Sequence, residues 1–270
     1  MAQQSAPPGS MPHLTPARLV GLKFGRNPFG GVKIALVGYC PRPRSLDKYQ
    51  PRHTTDQYFI HVPPANVQIC SYHGEGFLSI THVYGGPVSS ALIEELAYYG
   101  IAFVLAYGLA GGLGTKPLKL GDFYIVEKAL ALDGTTPHYT HEKLISSDEF
   151  LNFRIKELAR RTGFPGMTPV QAVTDDAIYR EYAEDLNTAR ENGCDIVNCD
   201  SSHLFAVSRN VGIRSTECGV ISDVAMGSGE DWQSTLAVML SAGDQAALDP
   251  LTVAGKIVEF YVEVLLPELR

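Results

Sequence analysis

Two aspartates stand where a carboxylate could bind a sugar or protonate a leaving group. Asp200 ends the apolar segment IVNCD, and Asp223 ends the apolar segment GVISD. In open α/β sheets ligands bind at the carboxyl ends of strands, so two aspartates in matching positions indicate a site. Asp200 alone is equally explained as the N-cap of the helical segment SSHLFAVSR, a role worth about 1 kcal/mol. The matching position of Asp223 favours the site.

Glycine and arginine follow another predicted strand. The segment KIALVGY contains Gly38 and precedes Arg42 and Arg44, and planar guanidinium groups bind anions well. Solvated surface arginines are an equal alternative. Glycines are also concentrated in VYGGPVSS and AYGLAGGLG, where a ligand or another backbone could approach closely. Tight packing and turns explain either glycine segment at least as well.

The elements that must position these residues alternate along the chain. VQICSYH and FLSITHVY predict a hairpin, SALIEELAYYG predicts a helix, and AFVLAYGLAGG predicts a buried strand. Strands and helices continue to alternate as far as a long terminal helix that begins near DPLTVAG. This order predicts an α/β fold in which helices flank a mostly parallel or mixed sheet. Residues 1–31, rich in Pro and Gly, predict an extended N-terminal arm, and residues 32–270 predict one domain.

Composition excludes several classes of function. The chain has 270 residues and a net charge of −7, so it lacks the basic surface that nucleic acids or anionic membranes require. Its five cysteines show no metal-binding spacing, which favours reduced thiols and predicts neither a metal site nor a cofactor. No apolar run approaches the roughly 18 residues of a membrane span. We therefore expect a cytoplasmic protein.

The order of these segments resembles the nucleoside phosphorylase superfamily, which contains purine and uridine phosphorylases and related nucleosidases. The resemblance extends from about Lys33 to the C-terminus and is carried by GGPVSSALIEEL, AYGLAGGL, LKLGDFYIVEKALALDGTTPHY, GCDIVNCDSSHLFAVSRNVGI and ISDVA. It implies a central mixed β-sheet, partly closed as a barrel and flanked by helices. It also implies a homo-oligomer, either a dimer or a hexamer, that binds a small nucleoside.

The resemblance assigns site roles position by position. Gly38 and Arg42 match the glycine and arginine of a phosphate-binding loop, and Arg44 is a further phosphate candidate. Cys199 and Asp200 match the positions that hold the ribose. Two residues could contribute to the phosphate site of a neighbouring subunit, namely Arg52 and His53.

The base-binding positions lie in three segments. The residues expected to contact the base are Ser222, Asp223, Ile178, Tyr179 and Gly111. Asp223 is the expected catalytic acid, delivering a proton or hydrogen bond to the N7 edge of a purine. An aspartic acid has an ordinary pKa of about 3.9, so this role requires a largely dry pocket.

Several positions depart from the family pattern. Tyr39 and Cys40 replace an Asp-Pro pair, while Ala106 and Leu109 replace an arginine and a hydroxyl residue that grip phosphate in phosphorylases. The early glutamate that activates water in the nucleosidases is absent from GYCPRPR. We expect cleavage of a purine nucleoside with transfer of the pentose to phosphate. Hydrolysis by water and non-catalytic nucleoside binding are the alternatives.

Overall fold

The computed structural model describes residues 12–24, 27–226, 231–234 and 249–269. In these ranges eleven strands form one mixed sheet. The strands are β1 (Ile34–Gly38), β2 (Arg52–His53), β3 (Val67–Tyr72), β4 (Glu75–Ile80), β5 (Phe103–Gly112), β6 (Phe123–Ala131), β7 (Leu144–Ser146), β8 (Thr168–Thr174), β9 (Ile196–Asn198), β10 (Arg214–Met226) and β11 (Asp231–Ser234). The helices are α1 (Pro16–Leu19), α2 (Gly21–Phe24), α3 (Gly86–Tyr98), α4 (Glu149–Thr162), α5 (Ala183–Glu191), α6 (Ser201–Val211) and α7 (Pro250–Phe260).

Five strands close into a barrel. The sheet runs in the order β11, β10, β6, β8, β9, β5, β1, β4, β3, β2, with β7 on β6, and β10 also pairs with β5. This second pairing of β10 closes the ring of β5, β10, β6, β8 and β9. Both parallel and antiparallel pairs occur within the ring. The expected mixed sheet, partly closed as a barrel, is confirmed.

Strand β5 is the point where the open sheet and the barrel meet. On one edge it pairs with β1 from Phe103 to Tyr107, and with β9 only at Gly111 and Gly112. The intervening residues Gly108 to Ala110 have no strand partner on that edge, whereas β10 continues along the opposite edge. A gap therefore opens at the carboxyl end of β1. We call it the β5 fork.

Helices cover both faces of the sheet because side chains alternate in direction along each strand. Leu92 of α3 and Leu204 of α6 belong to one buried apolar cluster, and Ile155 of α4 and Ile257 of α7 belong to another. Close packing explains one glycine of VYGGPVSS, since a Cβ on Gly86 would lie 2.1 Å from Thr135 Oγ1.

The predicted helix boundaries follow capping chemistry. Helix α4 begins after Asp148, whose carboxylate accepts a hydrogen bond of 2.9 Å from the Leu151 N–H, and ends before Gly163 in the left-handed conformation. The terminal segment differs from the single long helix expected. Helix α7 ends at Phe260 and is followed by the π-helical turn Tyr261–Leu265 and the 3₁₀ turn Leu266–Glu268. No helix within the described ranges is long and apolar enough to cross a bilayer.

The N-terminal segment differs from the extended arm that its composition predicts. Helices α1 and α2 occupy most of residues 12–24, and Thr15 caps α1 immediately before Pro16. Proline at the first helical position starts a helix, a signal that a high proline content conceals. Phe29 is buried and packs against the rings of Tyr58 and Tyr99. The rest of the predicted arm, residues 1–11, 25 and 26, lies outside the described residues.

Candidate functional site

Two carboxyl groups meet at the β5 fork. A Cβ built on Gly108 would lie 3.5 Å from Asp200 Oδ2, 3.5 Å from Glu217 Oε1 and 3.4 Å from the Cβ of Tyr39. Both acidic side chains are buried. The absence of a side chain at Gly108 therefore leaves space that two buried carboxyl groups and the residue following β1 face together.

Asp200 occupies the N-cap position of α6, yet its side chain makes no capping hydrogen bond. The amide oxygen of Asn198 instead accepts hydrogen bonds from the N–H groups of Asp200 and Ser201, at 3.3 and 3.4 Å. The capping interpretation of Asp200 is therefore not supported by the geometry. Its carboxyl group is directed towards Gly108.

Glu217, in β10, is a site residue that the sequence interpretation missed. It accepts hydrogen bonds from Ser201 Oγ at 2.7 Å, Asn198 Nδ2 at 3.1 Å and Tyr124 Oη at 3.4 Å. Burial raises the pKa of Glu217 to about 7, although these hydrogen bonds lower it. Burial, together with the charge of Glu217, raises the pKa of Asp200 well above its ordinary value. An acidic residue flanked by the small and apolar residues of a buried strand was the available signal.

Asp223 lies farther along the same strands, beside Gly111. The register between β5 and β10 shifts between Ile221 and Asp223, so Ser222 is the extra residue of a bulge. Bulges near functional sites re-aim side chains. A Cβ on Gly111 would lie 2.8 Å from Asp223 Oδ1 and 3.1 Å from Val197 Cγ1. Ser222 Oγ donates a hydrogen bond of 2.7 Å to Asp223 Oδ2. The structure thus brings together three of the predicted base-binding residues.

Glu181 is a second acidic residue that the sequence interpretation missed. It precedes α5 and is partly buried. Burial raises its pKa to about 7, and the charges of Asp223 and Asp175 contribute to the increase. Asp223 and Glu181 therefore form a second carboxyl pair, in which neighbouring negative charges favour retention of a proton.

Cys199 borders both carboxyl pairs. Burial raises the pKa of its thiol to about 12, and the charges of Asp200 and Glu181 contribute. The thiol therefore stays protonated at neutral pH. The charges of Asp200 and Glu181 both raise the pKa of Cys199, and the charge of Asp223 raises the pKa of Glu181. These groups therefore lie within electrostatic range of one another and form one acidic region. We call this region, which contains Cys199, Asp200, Glu217, Glu181 and Asp223, the acidic cleft.

The structure does not bring the other predicted base contacts into the acidic cleft. Ile178 and Tyr179 belong to the 3₁₀ turn Ile178–Arg180, and their exposed fractions are 59% and 94%. Neither side chain is held against Asp223 by packing within this chain. Sequence position could not reveal this, because the direction of a side chain in a turn depends on its local backbone.

The predicted phosphate residues are engaged elsewhere. Arg42 donates hydrogen bonds from Nε to Gln68 Oε1 at 2.9 Å and from Nη2 to Asp47 Oδ1 at 2.7 Å. The amide nitrogen of the same side chain, Gln68 Nε2, lies 3.1 Å from His53 Nε2. Arg44 begins the 3₁₀ turn Arg44–Tyr49. Gly38 ends β1, where a Cβ would lie 2.7 Å from Tyr107 Oη, and β2, which contains Arg52, is exposed.

Within the described ranges, no cation contributes to the pKa shifts of Asp200, Glu181 and Glu217. The influences on the pKa values of Asp200, Glu181 and Glu217 are burial, other carboxylates and hydrogen bonds from neutral groups. Ala106 is fully buried, and Leu109 packs against an apolar cluster, so neither position supplies a polar group. Among the described residues, no group of three or more His, Cys, Asp or Glu side chains could hold a metal ion.

The structure is thus an α/β protein whose sheet is partly closed as a five-stranded barrel, with Asp200 following the carboxyl end of β9. The family model for the Phosphorylase superfamily matches residues 43–250. The chain is 31% identical over 236 residues to an uncharacterized protein, R802, of Acanthamoeba polyphaga mimivirus, an alignment that covers 87% of this chain and 92% of that protein. The chain belongs to the phosphorylase superfamily, as its sequence motifs indicated.

Solved structures share this fold at low sequence identity. A purine nucleoside phosphorylase from Toxoplasma gondii, in complex with immucillin-H, aligns with a TM-score of 0.66 and 19% identity over 88% of this chain and 93% of that chain. A 5'-methylthioadenosine/S-adenosyl homocysteine nucleosidase from Campylobacter jejuni aligns with a TM-score of 0.65 and 17% identity, covering 86% of this chain and 97% of that chain. One fold thus accommodates both phosphorolytic and hydrolytic relatives.

Proposed function

We propose that the protein cleaves the N-glycosidic bond of a purine nucleoside and transfers the pentose to water. The observation that carries this proposal is the buried carboxyl pair Asp200 and Glu217 at the β5 fork. The sequence pattern had favoured phosphate as the acceptor. The pairing of Arg42 with Gln68 and Asp47 and the acidity of the cleft favour water instead.

The negative charge of the carboxyl groups favours water over phosphate as the acceptor. Two like unit charges 4 Å apart repel by about 4 kcal/mol at an effective dielectric constant of 20. A phosphate dianion beside an ionised Glu217 would experience this repulsion without a compensating guanidinium group. Water experiences no such penalty. An acidic cleft also stabilises the oxocarbenium character that develops on the sugar when a glycosidic bond breaks.

The departing base acquires negative charge and needs a proton or a hydrogen-bond donor. Asp223 faces the space beside Gly111 and is oriented by Ser222. Glu181, with a pKa of about 7, is a proton reservoir next to it. Pairs of carboxyl groups whose environments favour different protonation states are the arrangement expected of acid catalysis. We assign Asp223 to the edge of the base and Glu181 to the supply of its proton, and the proton that the attacking water releases as its oxygen bonds to the sugar restores this pair.

Asp200 holds the sugar in this proposal. Hydrogen bonds contribute about 0.5 to 1.5 kcal/mol each between neutral groups and about 1.5 to 3 kcal/mol when one group is charged. We call Asp223 and Glu181 the base-side pair. Positioning the sugar between Asp200 and the base-side pair supplies most of the rate enhancement. The similarity to the Campylobacter nucleosidase supports a hydrolytic reaction on this fold, and the Toxoplasma phosphorylase supports a purine base.

The test compares base release with and without phosphate. Purified protein is incubated with inosine or adenosine in phosphate-free buffer and again with added phosphate, and both the base and the sugar product are quantified. We expect equal rates of base release and free pentose in both buffers. Acceleration by phosphate together with formation of a pentose 1-phosphate would overturn the assignment of water.

The assay includes one test variant and one control variant. Asp223→Asn should reduce base release by at least 100-fold, because an amide nitrogen cannot act as the acid. Asp185→Asn is the matched control, since Asp185 is exposed in the first turn of α5 and lies outside the proposed machinery. Homo-oligomeric assembly and cytoplasmic location, both expected from the sequence, remain predictions.

A further inference from the structure

We propose that Glu217 is a positioning residue for Asp200: Glu217 carries the negative charge of the pair, so that Asp200 presents a protonated carboxyl group to the sugar. The inference rests on the proposed function for its reference to the sugar. The charge arrangement itself follows from the hydrogen-bond directions around Glu217.

The hydrogen bonds of the Asn198 side chain fix the orientation of its amide group. Its oxygen Oδ1 accepts hydrogen bonds from the backbone N–H groups of Asp200 and Ser201, and from Thr174 Oγ1 at 3.2 Å. Backbone N–H groups can only donate, so this amide end must be the oxygen. Consequently the NH₂ end of Asn198 points towards Glu217, 3.1 Å from Oε1.

The direction of the Ser201 hydroxyl follows from that of the amide. Ser201 Oγ accepts a hydrogen bond of 2.7 Å from Asn198 Nδ2. Its own proton is then available for Glu217 Oε2, also at 2.7 Å. Tyr124 Oη adds a third, longer contact at 3.4 Å to Oε1. Both oxygens of Glu217 therefore receive hydrogen bonds from oriented donors.

An ionised carboxylate accepts hydrogen bonds on both of its oxygens. A protonated Glu217 would need an acceptor for its own proton, yet Asn198 and Ser201 both donate hydrogen bonds to it. Glu217 is therefore the member of the pair that ionises first. Burial holds its pKa near neutrality, at about 7, and prevents an earlier loss of the proton.

Asp200 then has a negative neighbour, and no cation in the described part of the chain contributes to its pKa shift. The titratable groups that face Asp200 and Glu217 from the surrounding elements are neutral at pH 7, namely Tyr39, Cys40, Tyr84, Tyr124, Cys199, Cys218 and Tyr261. Tyr39 is itself paired, with its hydroxyl 2.7 Å from Ser89 Oγ. Two adjacent buried carboxyl groups cannot both ionise without a large cost. Asp200 consequently retains its proton.

A protonated Asp200 differs from a carboxylate in what it can recognise. It can donate one hydrogen bond and accept others, so it can bind a sugar oxygen that has no proton to give as well as a hydroxyl group. An ionised aspartate can only accept. Glu217 therefore determines which sugar atoms Asp200 can contact, although its own oxygens accept hydrogen bonds from Ser201, Asn198 and Tyr124.

The experiment measures the protonation of Asp200 directly. Infrared difference spectra of protein with carbon-13-labelled aspartate carboxyl groups are recorded between pH 5 and 9 for the wild type, Asp200→Asn and Glu217→Gln. We expect a protonated carboxyl band in the wild type at pH 8 that is absent from Asp200→Asn. In Glu217→Gln this band should disappear at a pH at least one unit lower, because Asp200 no longer faces a negative charge.

Kinetics give a second readout that a merely structural residue would not change. In the wild type, kcat/KM should fall at the pH where Asp200 loses its proton, which lies above the range in which Glu217 ionises. This descending limb should move down by at least one unit in Glu217→Gln. Ser201→Ala removes one donor to the ionised Glu217 and should also move the descending limb to lower pH. This variant tests the inference even if Glu217→Gln fails to fold, and Glu127→Gln, at an exposed β6 position, is the matched control.

The outcomes separate the two proposals. A protonated aspartate band that is insensitive to Glu217→Gln, or an absence of that band in the wild type at pH 8, overturns the inference. An unmoved descending limb in Ser201→Ala also contradicts it. If the band behaves as expected while the wild type releases no base from any purine nucleoside, the charge arrangement is upheld and the proposed reaction is refuted.

Discussion

Asp200 Oδ2 and Glu217 Oε1 would each lie 3.5 Å from a Cβ atom built on Gly108. The two residues come from different parts of the chain, since Asp200 precedes α6 and Glu217 lies within β10. Their meeting depends on β5, which carries Gly108 and pairs with β10. The space above Gly108 is thus bounded by acidic groups on two sides.

Filling that space should impair activity without unfolding the protein. In Gly108→Ala the new methyl group would meet its nearest neighbours at 3.4 to 3.5 Å, which is ordinary van der Waals contact. We expect a change in unfolding free energy within about 1 kcal/mol and a loss of base release of roughly tenfold or more, because a misplaced sugar costs rate steeply.

Gly112→Ala is the matched control for this change. Its methyl group would have its nearest neighbour, Val224 Cγ2, at 3.6 Å, next to apolar atoms rather than carboxyl groups. Gly112→Ala should retain near wild-type base release. Equal losses of activity in the two alanine variants would show that the space above Gly108 has no special role.

The base-side pair should show a graded response. Asp223→Asn is expected to reduce base release by at least 100-fold, within the range typical for loss of general acid catalysis. Glu181→Gln should have a smaller effect on the maximal rate and should remove a dependence on pH near 7, because the pKa of Glu181 is about 7. Steady-state rates between pH 5 and 9 test both expectations. A pH profile of Glu181→Gln identical to that of the wild type would exclude the reservoir role.

Glu217 should make the protein less stable as pH rises. Its pKa is raised from 4.5 to about 7 in the folded state, so between these values the folded protein binds more protons than the unfolded chain. Linkage then requires the free energy of unfolding to fall with increasing pH, by up to about 1.4 kcal/mol per pH unit from this group. Urea unfolding at pH 5 and pH 7.5 should show a smaller decrease for Glu217→Gln than for the wild type. An equal decrease would contradict the raised pKa.

Arg42 should contribute to stability through Gln68. Gln68 is only 3% exposed, and its Oε1 accepts from Arg42 Nε. Arg42→Met leaves this buried oxygen without that donor, at an expected cost of about 1 to 3 kcal/mol. Asp47→Asn, which alters the exposed end of the same arginine, should cost less than about 1 kcal/mol. Chemical denaturation distinguishes the two, and equal costs would contradict the importance of the buried contact.

Phe29 should tie the N-terminal segment to the core. Its ring is 3% exposed and contacts the rings of Tyr58, Phe59 and Tyr99. Phe29→Ala is therefore expected to lower the free energy of unfolding by about 3 to 5 kcal/mol. Leu22→Ala, at an exposed position of α2, is the control and should change stability little. A negligible cost for Phe29→Ala would show that this segment is not part of the cooperative fold.

The sequence predicted the sheet elements well because apolar runs and glycines mark local structure. The hairpin β3–β4 and the buried strand β5 lie where periodicity placed them. Asp200 and Asp223 were identifiable because each ends an apolar segment. Glu217 was not, since its partners Asn198 and Ser201 are 19 and 16 residues away and meet it only after β9, α6 and β10 have packed. The same applies to Arg42, whose contact with Gln68 spans 26 residues.

Different residues border the two ends of the β5 fork. The residues following β1 and Glu217 of β10 border one end of the unpaired stretch, whereas Asp223 and its bulge border the other. The hydrogen bonds described around Glu217 share no residue with the one described between Ser222 and Asp223. In the proposed reaction, preference for the leaving group and preference for the acceptor are therefore expected to respond to different substitutions.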